Sequence, residues 1–287
     1  MEALQRNDVS PDEATVARLR ERAQFIRLET IRLIEIAKVG HYTSVFSAAE
    51  IFAALYYDVM RLSDDPRWPD RDRFLMGKGH AAVGLFPILA DKGYLPVDVL
   101  NGYTRLGNPL GDHPDMRKVL GIDFSSGSIG HALSNGLGMA LGGRMQGRDF
   151  TTFVMLGDGE MQEGQVWEAA LSASHLGLSR LVAIVDRNGF QLDGAVDEVM
   201  GIEPLDAKWR AFGWEVQVVD GHDISQLTTA LRRAKQDGTR RAPLCIIART
   251  VKGKGVSYME TEPGWHLGYL DPQDAALARD EILSKVI

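Results

Sequence analysis

Residues 150–164, Phe-Thr-Thr-Phe-Val-Met-Leu-Gly-Asp-Gly-Glu-Met-Gln-Glu-Gly, constrain the fold more than any other stretch of the chain. The residues up to Leu156 are apolar or β-branched, in the manner of a buried strand. Gly157-Asp158-Gly159 then breaks the pattern, and a helical one starts from about Gln162. A strand, a tight glycine turn and a helix N-terminus together make an anion-binding device, because free backbone N–H groups and the helix dipole converge on one spot. Asp158 sets a carboxylate where a diphosphate would lie. Two anions facing each other repel, so the arrangement makes sense with a divalent cation between them. Mg²⁺ suits that place, taking few protein oxygens and completing its shell with phosphate and water.

Thirty residues on, Leu181-Val182-Ala183-Ile184-Val185-Asp186 reads as the next strand, ended by Arg187-Asn188-Gly189-Phe190. Parallel strands joined by a helix bring their carboxyl ends side by side, where ligands bind in open α/β sheets. Asn188 thus offers a neutral oxygen to the same cation as Asp158. Taken alone, Gly157-Asp158-Gly159 reads equally well as a hairpin or surface turn; the flanking strand and helix and the second strand end favour the anion site.

With 287 residues, 45% of them hydrophobic, the chain can bury a sizeable core. A net charge of −7 argues against a nucleic-acid partner. The single cysteine, Cys245, lies in an apolar run and reads as a buried thiol, which excludes intrachain disulfides and cysteine-based metal sites. No run of about twenty apolar residues and no signal segment is found, so no membrane association and a cytoplasmic location are expected.

Residues 1–10 read as a loose leader, and 11–287 as one domain whose C-terminal arm is irregular from about residue 250. Ser10-Pro11-Asp12-Glu13 starts a helix that reaches Val39, and Gly40-His41 stops it. A second helix is expected over Ser47–Met60, a short strand over Arg73–Met76, and a helix from there to about Lys92. The Gly- and Pro-rich stretch 106–121 reads as a functional loop. A small-residue helix spans Ala132–Met145; its Gly136-Leu137-Gly138 run has the look of a dinucleotide fingerprint, but the spacing is wrong and no strand precedes it. Further strands over Glu215–Val219 and Leu244–Arg249 alternate with helices over 164–175, 206–212 and 225–235. This alternation implies an α/β fold, a parallel sheet covered by helices on both faces.

Of seven histidines, His41, His80, His113 and His266 occupy strand ends or glycine-rich loops, whereas His131, His175 and His222 read as structural. No pair has the short spacing of a zinc site. The motifs around the four, Gly40-His41, Asp72-Arg73-Phe74 with Gly79-His80, His113-Pro114, Gly127-Ser128-Ile129-Gly130, Val251-Lys252-Gly253-Lys254-Gly255 and Trp265-His266, stand in order around Gly157-Asp158-Gly159 and Asn188. From about residue 15 to 270 the chain resembles the N-terminal, thiamine-diphosphate-binding domain of transketolase.

That resemblance implies a transferase that moves a two-carbon ketol unit from a ketose or its phosphate to an aldose, through an enamine of thiamine diphosphate. It implies Asp158, the Asn188 side chain and the Phe190 carbonyl as ligands of Mg²⁺ or Ca²⁺. His80 would help hold the diphosphate, with Gly127 and Ile129 on the aminopyrimidine side and Gly157, Gly159 and Val251 along the cofactor. His41, His113 and His266 would face the substrate, and Glu163 would link the two active sites at a subunit contact. The glutamate that activates the pyrimidine belongs, in that family, to a pyrimidine-binding domain not recognised here. A separate C-terminal subunit is therefore expected to carry it, in a heterotetramer of two of each. Two departures bear on the substrate: Tyr42-Thr43-Ser44-Val45-Phe46 follows His41, and Leu267-Gly268-Tyr269 follows His266, where the family shows smaller or basic residues. Bulk beside His41 is expected to reshape the donor pocket toward a specialised sugar. The rival readings are the α-subunit of a 2-oxo acid dehydrogenase, which the histidine set does not favour, and a non-catalytic cofactor-binding subunit.

Overall fold

The computed structural model describes residues 9–192 and 194–284; residues 1–8 of the expected leader lie outside them. The first helix, α1 (Glu13–Ala37), starts where Asp12 accepts a hydrogen bond from the Thr15 N–H at 2.8 Å, satisfying one of its free donors. It ends because Lys38 turns left-handed (φ 64°) and returns its N–H to the Ile34 carbonyl. That reversal sends the chain back toward the sheet at His41.

The single helix expected over Ser47–Met60 is instead α2 (Thr43–Phe46), α3 (Ala49–Ala54) and a wide turn over Leu55–Val59. The interruption falls at Ser47, whose hydroxyl donates to Asp186 Oδ2 at 2.7 Å. Strand β1 (Arg73–Met76), a short turn over Gly79–Ala81 and α4 (Ala82–Asp91) follow. Residues 106–121 form a loop, as expected, and α5 (Ala132–Met145) has the expected bounds. A Cβ added to Gly136 would stand 2.4 Å from Val154 Cγ2, so glycine there lets α5 lie close on the sheet, a packing role rather than a nucleotide one.

Next come β2 (Thr152–Gly157), α6 (Gly164–His175), β3 (Leu181–Arg187), the two-residue strands β4 (Phe190–Gln191) and β5 (Gly194–Ala195), α7 (Val196–Met200) and α8 (Leu205–Ala211). The chain then runs through β6 (Glu215–Asp220), α9 (Ile224–Gln236) and β7 (Leu244–Arg249). The arm expected to be irregular from residue 250 is so only in part: Pro272–Ser284 is helix α10. Its buried residues are Ala275, Ala278 and Ile282, too small a stripe to announce itself.

The main sheet is parallel throughout, in the order β1-β2-β3-β7-β6. Successive residues of its central strands feed opposite cores. Phe153, Met155, Val182, Ile184, Leu244 and Ile246 face the core built with α1, α3, α4 and α9. Val154, Leu156, Ala183, Val185, Cys245 and Ile247 face the core built with α5, α6 and α8. Burial on both faces explains the unbroken apolar runs, and each such large side chain contributes roughly 1.5–3 kcal/mol. The register sets Gly157 opposite Asp186 and Arg187 opposite Arg249, which gathers the ends of β2, β3 and β7 at one edge.

Candidate functional site

At that edge, Asp158 is buried and held by three donors. Its Oδ1 accepts from the Gly159 N–H at 2.8 Å, and its Oδ2 from the Gly189 N–H at 2.6 Å and Arg187 Nη1 at 3.2 Å. Gly189 reaches it only by adopting φ 85°, a conformation that favours glycine. Burial, and then the nearby Asp186, push the Asp158 pKa up to about 6 despite these donors. The site is thus short of positive charge at Asp158.

Asn188 is nearly buried, with Oδ1 accepting from the Phe190 N–H at 3.1 Å and Nδ2 donating to Asp186 Oδ2 at 3.3 Å. A carboxylate, an amide oxygen and a backbone carbonyl are hard oxygen donors of the kind Mg²⁺ and Ca²⁺ take. Asp158, Asn188 and Phe190 line one cavity together, so the donor set fits such a cation. Among the described residues no group of three His, Cys, Asp or Glu side chains is placed to hold a metal.

The cavity, of about 270 Å³, is also lined by His80, Ile129, Gly157, Gly159, Glu163 and His266, and by Ser44, Lys78 and Glu160. Nothing in the local sequence marks these last three. Lys78, between Gly77 and Gly79 at the end of β1, is buried, pairs with Asp186, and donates to the Ser44 carbonyl at 2.8 Å. Glu160 accepts from the Gly130 N–H at 2.8 Å and the Gly157 N–H at 3.1 Å, tying the Gly127–Gly130 turn to the strand end. Burial pushes its pKa up to about 7.

Lys252, in the segment after β7, is buried as well; burial and then the charge of Lys78 bring its pKa down to about 8. Two buried lysines that repel each other beside a cavity suit a polyanion such as a diphosphate.

The four loop histidines converge. Ring centroids lie 5.2 Å apart for His41 and His80, 5.3 Å for His41 and His266, 5.3 Å for His80 and His266, and 6.1 Å for His41 and His113. Residues as distant in sequence as His41 and His266 meet here because hydrogen bonds to backbone carbonyls stitch the segments. The Gly268 N–H donates to the Gly40 carbonyl, the Gly253 N–H to the Thr43 carbonyl, and Thr43 Oγ1 to the Trp265 carbonyl. Gly253 is required: at φ 79°, an added Cβ would sit 2.4 Å from the Met259 carbonyl oxygen.

Burial first, then Lys78, holds His80 well below the usual imidazole pKa, and burial with Lys252 brings His266 down to about 3. Both rings are neutral. Gly127 packs under His113, a Cβ there standing 3.4 Å from its ring.

Glu163 is exposed at the start of α6, with its stem against Gly130. Val251 is not among the residues lining the cavity. Its N–H donates to His222 Nε2 at 2.8 Å, and His222 Nδ1 lies 3.0 Å from Glu50 Oε2, itself paired in the core with Arg27. His222, read from the sequence as structural, is thus a strut behind the site. Tyr42 corrects an expectation: it is 1% exposed and packs on Phe46 and Trp265, so the bulk beside His41 fills the core instead of the cavity.

The family profile described as "Transketolase, thiamine diphosphate binding domain" matches residues 19–283. The chain is 41% identical over 249 residues to the 6-deoxy-6-sulfo-D-fructose transketolase subunit SqwG of Clostridium sp. (strain MSTE9), covering 86% of this chain and 90% of that one. It is 41% identical over 241 residues to one subunit of the apulose-4-phosphate transketolase of Phocaeicola vulgatus, covering 83% and 85%. A crystal structure of the R525L mutant of Pichia stipitis transketolase superposes with a TM-score of 0.86 at 29% identity, over 92% of this chain and 40% of that one. The chain therefore spans under half of that longer transketolase, and nearly all of the subunits. It belongs to the transketolase family, as its thiamine-diphosphate-binding domain.

Proposed function

We propose that the chain is the diphosphate-binding subunit of a two-component transketolase. It would move a two-carbon ketol unit from a ketose, or ketose phosphate, to an aldose. One observation carries this reading: four histidine rings cluster, and two of them, His80 and His266, line the cavity together with Asp158, Asn188 and the buried Lys78, while His41 and His113 stand behind them outside its lining. In it, Asp158, Asn188 and the Phe190 carbonyl would hold Mg²⁺ (or Ca²⁺), with Lys78, Lys252 and His80 on the diphosphate. When bound, thiamine diphosphate supplies the nucleophilic carbon and the electron sink for carbon–carbon cleavage. His41 and the neutral His266 would handle the proton and the oxygen of the substrate carbonyl, and His113 a hydroxyl.

The names of the two subunits that resemble this chain, which include 6-deoxy-6-sulfo-D-fructose and apulose-4-phosphate, support a separate partner and a specialised sugar, a sulfosugar or a sugar phosphate, as donor or acceptor. The partner would carry the pyrimidine-binding domain and its glutamate, in a heterotetramer with Glu163 at the contact. A cytoplasmic location belongs to the same proposal.

The test mixes the chain with its partner subunit, thiamine diphosphate and Mg²⁺. Ketol transfer between a ketose and an aldose is expected; decarboxylation of a 2-oxo acid, or no turnover, would overturn the reading. In the same assay Asp158→Ala should abolish metal-dependent cofactor binding, measured by calorimetry. His266→Ala should slow turnover by about 10²-fold or more with cofactor affinity nearly intact.

A further inference from the structure

Gly111-Asp112-His113-Pro114 carries a carboxylate that the function above does not use. Asp112 Oδ2 lies 3.2 Å from His41 Nδ1 and its Oδ1 lies 3.4 Å from the same nitrogen. Tyr103, fully buried, donates its hydroxyl to Asp112 Oδ1 at 3.1 Å, and His113 Nδ1 lies 3.7 Å from Oδ2. Burial opposes the charge on Asp112, but His41, His113 and Tyr103 outweigh it and hold the carboxyl below its ordinary range. An ionised carboxylate only accepts hydrogen bonds. The nitrogen facing it must carry the proton.

At His266 the partner is the opposite kind. Lys252 Nζ lies 2.7 Å from His266 Nδ1. An ammonium only donates, so this nitrogen must offer its lone pair. A neutral imidazole has one N–H and one bare nitrogen, and fixing one fixes the other.

We infer that Asp112 and Lys252 lock the two facing histidines, in their neutral forms, in opposite tautomers: Asp112 keeps the proton on His41 Nδ1, which leaves Nε2 as the bare nitrogen, whereas Lys252 keeps His266 Nδ1 bare and its proton on Nε2. Asp112 is then a positioning residue, acting through His41. The pair meets a substrate with one proton acceptor and one hydrogen-bond donor already in place, 5.3 Å apart between ring centres. Ketol transfer needs both, since one oxygen gives up a proton while another gains negative charge. That consequence rests on the transketolase reading, whereas the tautomers themselves do not.

The experiment is a long-range ¹H–¹⁵N spectrum of the [¹⁵N]histidine-labelled chain at pH 7, with His41→Gln and His266→Gln variants identifying the two rings by the signals they lose. His41 is expected to show a protonated Nδ1 and a bare Nε2, and His266 the reverse. Asp112→Ala should return His41 toward the Nε2–H form that free imidazole favours. A wild-type His41 protonated at Nε2, or unmoved in Asp112→Ala, would overturn the assignment, as would a His266 protonated at Nδ1. In the complex with the partner subunit, Asp112→Asn should lower kcat by about 10²-fold, with the cofactor concentration for half-activity unchanged and Asp112→Glu restoring part of the loss. An unchanged kcat would overturn the positioning role. Correct tautomers in a wild-type complex that transfers no ketol unit would instead count against the transketolase reading alone.

Discussion

Lys252 shows how much of the site resides in single side chains that look ordinary in sequence. The motif Val251-Lys252-Gly253 gives its lysine no role of its own, yet that lysine is 1% exposed and its pKa falls to about 8. Because the folded value lies below the ordinary lysine value of 10.5, the folded chain sheds this proton first. The burial of its charge opposes folding below about pH 8, and that opposition fades as pH rises toward 10.5. Ligand binding has the reverse sign. A diphosphate favours the charged lysine, so its affinity should fall, with proton uptake, as pH rises through about 8. Calorimetry with inorganic diphosphate and Mg²⁺ in buffers of different ionisation enthalpy checks this. Lys252→Met should weaken binding about tenfold at pH 7, for the loss of a hydrogen bond between charged groups. It should also remove the part of the pH dependence that wild type shows above pH 7. Equal slopes for the two proteins would place Lys252 off the ligand. Lys78, Asp112 and Glu160 are illegible in sequence for the same reason: partners such as Asp186, 108 residues from Lys78, are invisible to local pattern.

The strands and long helices were legible because burial on both faces leaves apolar runs, as over residues 181–185, and because a start signal such as Ser10-Pro11-Asp12-Glu13 stands out, although the residue that caps α1 is Asp12, two places after the serine. What stayed hidden were elements shaped by tertiary contacts: the break at Ser47, and α10 with its alanine side. The network behind the site is of that kind. Glu50 on α3 pairs with Arg27 on α1, its Oε2 accepting from Arg27 Nη2 at 2.9 Å, and the same oxygen lies 3.0 Å from Nδ1 of His222, from the turn after β6. His222 in turn holds the Val251 N–H, so two helices brace the segment that bears Lys252. Burial alone would raise the Glu50 pKa, but Arg27 and His222 bring it down to about 2. Glu50 therefore contributes stability that is present above about pH 4.5, its ordinary value, and is lost as pH falls through about 2. Glu50→Gln leaves the Arg27 charge buried and should cost about 3 kcal/mol at pH 7. The cost should shrink in acid, as the wild type loses the same interaction. Urea unfolding of both proteins at pH 7 and pH 3 measures it, and a difference that does not narrow would mean that Glu50 is protonated already.

On the scale of the molecule, the parallel sheet explains how the proposed diphosphate site can be assembled from one chain. The ends of β1, β2, β3 and β7 all point to one edge, bringing Lys78, Asp158, Asn188 and Lys252 together without help from another polypeptide. His80 and His266 line the cavity at the same edge, with His41 and His113 clustered beside them, and Leu192, also in its lining, is 60% exposed. Relatives of about this length carry the word subunit in their names, whereas the Pichia stipitis transketolase is more than twice as long for the same fold. Anchoring and chemistry should therefore separate in experiment. Inorganic diphosphate with Mg²⁺, at about 100 times its Kd, should stabilise the chain alone by about 2.7 kcal/mol, a rise of several degrees in Tm for a protein of this size. Asp158→Ala should lose that rise. Ketol transfer should stay absent until the partner subunit is added, and should then appear in proportion to partner up to a fixed ratio. A chain that transfers ketol units at full rate unaided would show that the proton-handling groups for the cofactor are all on this polypeptide. A chain with no thermal response to the diphosphate would show that the anchor needs the partner too. Only the combination of a strong response and no turnover matches an anchoring half whose chemistry is completed across an interface.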